Sequence, residues 1–171
     1  MSQPSATQAP EPWLRGTLEE VPAIPRAVLH ALELTREDLQ KWCASLSDAQ
    51  LNERPDGIAS VGFHLRHISR SLDRLLTYAE GKQLTQEQLE ALDAEADIDA
   101  TREKIFGELE AALIRSGERV RALASFDLDA ARAVGKKRLP STLGGLLVHI
   151  AEHTMRHVGQ AITTAKMVAS R

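Results

Sequence analysis

From Pro22 to about Leu46 the apolar residues Ala27, Val28, Ala31, Leu32, Leu34, Leu39 and Trp42 recur every three or four positions, while charged residues fill much of the opposite side. A period near 3.6 marks an amphipathic helix, and this is the first. Ser47 to Ala59 breaks the pattern with Asn52, Pro55, Asp56 and Gly57, a turn-rich connector. Ser60 can then cap a second helix reaching about Glu80, with Val61, Leu65, Ile68, Leu72, Leu75 and Ala79 facing inward and Gly81 as its stop. Thr85-Gln86-Glu87-Gln88 reads as a capping box that opens a short helix to about Leu92, before an acidic stretch, Asp93 to Asp99, read as a solvated loop.

A third long helix is expected from about Thr101 to Ser125, burying Ile105, Leu109, Ala112, Leu113, Val120 and Leu123. Phe126 to Pro140 has no periodicity, contains the basic run Gly135-Lys136-Lys137-Arg138 and reads as a loop. Ser141 or Thr142 starts the last helix, which runs to about Val168 with Leu143, Ile150, Thr154, Ala161 and Val168 inward. Four amphipathic helices, no alternating strand pattern and no internal repeat predict an all-α four-helix bundle, with a short extra helix between helices two and three. The 171 residues are expected to form one domain over 13–171 behind a disordered tail, 1–12, whose Ser, Gln, Ala, Thr and Pro carry too little apolar surface to order it.

Charge narrows the function classes. Lys plus Arg (21) nearly balances Asp plus Glu (24), for a net charge of -3, so there is no basic footprint for nucleic acid. Charged residues interrupt every long apolar run, which argues against a membrane span. Cys43, the single cysteine, has no internal disulfide partner, and Met1 to Pro12 has neither the basic start nor the apolar core of a signal peptide, so a cytoplasmic protein is expected.

The candidate chemistry lies in histidine. His149, His153 and His157 follow one another at four-residue spacing in the last helix and make up half of the chain's six histidines. Side chains at i and i+4 on a helix point the same way, about 5–6 Å apart at their Cβ atoms, so such a pair can grip one ion. At about 100° per residue, His157 lies about 20° and His153 about 60° from Ile150, whereas His149 falls about 100° away. His149 and His157 are also about 12 Å apart along the axis, so the three cannot share an ion. His153 and His157 are the candidate ligands. On helix two, His64 sits about 40° from the inward Ile68 and His67 about 100° away. Periodicity favours His64, and His67 reaches a site only if its flank faces the last helix; helical geometry leaves both open.

The segment from Ser60 to Leu76, which contains Phe63-His64-Leu65-Arg66-His67-Ile68, together with His153-x-x-x-His157-Val158-Gly159-Gln160, resembles the DinB/YfiT-like family of metalloenzymes over nearly the whole chain. The resemblance implies a four-helix bundle in which a histidine of the second helix joins an i,i+4 pair on the last. The implied metal ligands are His67, His153 and His157, with His64 and His149 outside the common pattern as supporting groups behind the ligands. It further implies a transferase or isomerase that uses a low-molecular-weight thiol, acting on a small-molecule substrate. Pairing of many family members through bundle helices implies a homodimer, for which Leu76, Leu123 and Val158 are candidate edge residues.

Three neutral imidazoles suit zinc first, then nickel or iron, and leave coordination positions open. Unperturbed imidazoles titrate near 6.5, so metal affinity is expected to weaken as pH falls through roughly 6. Cys43 reads as a small buried hydrophobe. In His149-Ile-Ala-Glu152-His153 the glutamate does not directly follow the first histidine, so the general-base role of the zinc-protease motif does not transfer to Glu152. A metal-dependent hydrolase of a small molecule and a non-enzymatic, stress-related metal- or ligand-binding bundle are the alternatives.

Overall fold

The computed structural model describes residues 9–93, without the Asp93 side chain, and 100–170. The first eight residues of the expected tail and residues 94–99 of the acidic stretch lie outside the described residues. Pro12 is buried at the start of a single 3-10 turn, Pro12–Leu14. Arg15 then bonds Glu33 at 2.7 Å and Glu37 at 2.6 Å on the first helix, which fastens this segment to the body.

Four long helices build the protein. α1 spans Ala23–Cys43 and buries Val28, Leu29, Leu32 and Leu39. After α2 (Asp48–Asn52), α3 spans Val61–Ala79. The short α4 (Gln86–Asp93) follows, then α5 (Arg102–Leu123) and, at the end, α6 (Leu143–Ala169). α6 packs on α1 and α3, and α5 packs on the same two from the other side. Leu39, Leu65, Ile68, Leu72, Leu147 and Ile150 are fully buried between them. The caps form at the residues the sequence marks. Ser60, Thr101 and Thr142 accept from the backbone N–H groups of Phe63, Lys104 and Gly145, and Thr85 and Gln88 close their capping box. Gly81 ends α3 at φ 79°, a conformation open to glycine at little cost.

Two elements appear where loops are expected. α2 forms inside the turn-rich connector because Ser47 and Gln50 make a reciprocal capping box. Gly62 lets it lie close to α3: a Cβ there would stand 3.0 Å from the Leu51 carbonyl oxygen and 3.2 Å from Ile105 Cδ1. Gly62→Ala is expected to cost about 1–3 kcal/mol as overpacking, visible as a lower urea midpoint at unchanged slope; an unchanged midpoint would show that the contact relaxes freely.

The second is an antiparallel hairpin in place of the loop over 126–140. Its strands β1 (Ala131–Val134) and β2 (Leu139–Thr142) pair Val134 with Leu139 around Gly135–Arg138. Four-residue strands are too short to show an alternating pattern. The basic run is the exposed turn itself, with positive φ at Gly135 (71°) and Arg138 (48°). Arg132 Nε bonds the Ala79 carbonyl, so the hairpin is tied to the end of α3.

Several expected core positions differ. Trp42 is 38 % exposed and Ala27 exposed, because Leu39 and Cys43 take the inner positions of α1. Trp42 instead lies beneath the ammonium groups of Lys41 and Lys166, 5.1 and 4.3 Å from its ring centre. Leu76, Leu123 and Val158 are buried in the core, so they offer no edge to a second copy. Among the described residues, no helix is long and apolar enough to cross a membrane.

Candidate metal centre

α3 and α6 pack side by side, and their contact line brings five histidines together. Nε2 of His67 on α3 stands 3.4 Å from Nε2 of His153 on α6. The ring of His157 is centred 4.3 Å from that of His67 and 4.7 Å from that of His153. One ring nitrogen from each of the three lies within 4.8 Å of the other two. Periodicity correctly makes His64 the more buried of the α3 pair, but half-buried His67 completes the cluster, since the flank of α3 is the side that meets α6.

His64 has a different position. It is 5 % exposed, and its Nδ1 lies 3.1 Å from Nδ1 of His157. That contact leaves Nε2 of His157 as the ring nitrogen available to an ion. His149 is half-exposed, centred 5.5 Å from the His153 ring, with Nδ1 3.7 Å from Glu152. Glu152 also pairs with Arg156, so this acid is engaged along the outer face of α6. Phe63 stacks on His67 with ring centres 5.6 Å apart and planes 15° apart. Phe63 sits four residues before His67, the same spacing as the histidines of α6, and that spacing is the signal by which it is found.

Burial is the largest influence on ionisation here. It pushes His64, His153 and His157 down to about 4, and the neighbouring His67 adds to the shift in each. These imidazoles are therefore neutral, with lone pairs available, at neutral pH, and proton competition sets in lower than the expected pH of roughly 6. Cys43 is fully buried, and its thiol is pushed up to about 12 by burial, as a small hydrophobe would be.

Three imidazoles, each with a ring nitrogen within 4.8 Å of the other two, suit a transition-metal ion. Two nitrogens on one tetrahedral zinc, at about 2.0–2.1 Å each, stand roughly 3.3–3.4 Å apart, and the His67–His153 separation meets that. One feature departs from a fully supported site: Nδ1 of His153 is buried without a hydrogen-bond partner among the described residues, whereas ligand imidazoles are usually oriented through their second nitrogen.

A profile of the DinB superfamily matches residues 31–161. The chain belongs to the DinB superfamily. The matched residues include His67 on α3 and His153 and His157 on α6. A comparison with curated proteins gives no match.

Proposed function

We propose that this DinB-superfamily protein is a metal-dependent enzyme in which His67, His153 and His157 hold a divalent transition metal, zinc first with nickel or iron as alternatives, and that it is a transferase using a low-molecular-weight thiol. The observation that carries the reading is the set of three imidazole nitrogens within 4.8 Å of one another, drawn from two helices. Three protein ligands leave room for an exchangeable fourth, the composition of catalytic rather than structural sites. When bound, an ion of this type supplies Lewis acidity and stabilises a thiolate at neutral pH.

The chain's own groups hold the ligands and their protons in place. With an ion on Nε2 of His157, that ring would carry its proton on Nδ1 and donate it to Nδ1 of His64, 3.1 Å away, with the proton of His64 then on Nε2. Phe63 covers one face of His67 and keeps that ring from turning. Hydrolysis of a small molecule would ask for a general base. Glu152 is the acid nearest the ligands in sequence, and it is paired with Arg156, so transfer is favoured.

One observation favours, as a second reading, a non-enzymatic bundle that keeps only a relic of the site. The contacts of 3.1 Å between His64 and His157 and 3.4 Å between His67 and His153 are also hydrogen-bond distances, as they would be in a relic site without metal. Metal analysis separates the two, with about one ion per purified chain expected for the enzyme and none for the relic. Replacing that ion with cobalt and adding small cellular thiols in turn should produce a thiolate-to-cobalt absorption band with at least one. Absence of the band with every thiol would remove the transferase reading and leave the metal site standing.

A further inference from the structure

A cleft of about 600 Å3 opens beside the histidine cluster, between the extended Ile58–Ala59 segment and one face of α6, with His64 in its lining. The clustered ligands do not line it; His64 joins the two, because it contacts His157 through Nδ1 and faces the cleft. The volume lies in the ordinary range for a small-molecule pocket.

The lining has a definite chemical bias. Among the described residues, Arg156 is its only charged side chain and no carboxylate lines the cleft, while Gln160 adds an amide four residues on. Glu152 accepts from one terminal nitrogen of Arg156, which leaves its other guanidinium N–H groups for a ligand. Ile58, 42 % exposed, and Ala59 give the other wall an apolar surface. Gly159 lies on the α6 wall, and a Cβ at this position would meet nothing within 4 Å. Glycine inside a helix costs about 1 kcal/mol relative to alanine, and here no packing contact compensates for it. Its effect is to keep the cleft deep.

We propose that this cleft binds the carboxylate end of a small organic acid with a short apolar body, held by Arg156 and Gln160, and presents that molecule to the metal centre past His64. A single guanidinium, already sharing one N–H with Glu152, matches a planar monoanion better than a doubly charged phosphate. The assignment extends the enzyme reading above by naming the substrate class of the same site.

Calorimetric titration of the metal-loaded full chain, and of chelator-treated protein, with benzoate, benzamide and phenyl phosphate tests it. Benzoate should bind both forms and bind more tightly than the other two. Arg156→Gln should weaken benzoate by about 10- to 100-fold, the loss of charge-assisted hydrogen bonds, and Gly159→Leu should fill the cleft and abolish binding. Both changes lie at exposed positions on α6, so metal content and melting temperature should stay at the wild-type level. No benzoate binding to wild type, equal binding to either variant, or a preference for benzamide or phenyl phosphate would overturn the proposal. A chain that fails to load metal yet still shows the Arg156 and Gly159 dependence would overturn the metal reading and leave the cleft intact.

Discussion

His67→Ala, His153→Ala and His157→Ala should each lose stoichiometric metal, while His149→Ala stays loaded. Each of the first three supplies a nitrogen to the cluster, and two remaining imidazoles make a poor cage for a divalent ion. His149 lies on the outer side, beside Glu152. His64→Ala is the informative intermediate. It removes the ring that contacts His157 Nδ1, and such changes behind a ligand cost roughly 10–100-fold in affinity without emptying the site. Metal content after dialysis against a weak chelator ranks the five variants. If His64→Ala were empty and His67→Ala full, the ion would sit at the His64–His157 contact instead.

Chelator-treated protein should lose stability steadily as pH falls from about 6.5 to about 4. His64, His153 and His157 titrate near 4 in the folded chain and near 6.5 when unfolded. Between those values the unfolded chain binds more protons, so stability rises with pH, is fully present above 6.5, and has been lost by 4 as far as these groups contribute. For His64, the most buried of the three, the shift corresponds to about 3 kcal/mol. Melting temperatures at closely spaced pH values will show the slope. His64→Gln should flatten it, and a wild-type profile level from pH 7 to pH 4.5 would show that the cluster opens to water when protonated.

The long helices were legible because each rests on many residues that agree: Ile68, Leu72, Leu147 and Ile150 repeat at helical spacing and all end fully buried. α2 and the hairpin were not, since each is too short for a period to register and depends on single hydrogen bonds, such as Ser47 with Gln50. The histidine pair of α6 could be found from spacing alone. The choice of His67 over His64 could not, because it depends on which flank of α3 meets α6, a property of two helices together. The cleft was also beyond sequence reasoning, as its walls come from an extended segment near residue 58 and a helix face a hundred positions later.

The hairpin tied to Ala79 also divides the chain in a useful place. Its exposed turn, Lys136-Lys137-Arg138, is an inviting site for trypsin. A single cut there leaves His64 and His67 on one fragment and His153 and His157 on the other. The two pieces would still be clasped through the long α3–α6 seam. A nicked protein of this kind is a split reporter made by its own architecture: metal retention would require both halves, and mixing separately labelled halves would read out their reassociation directly.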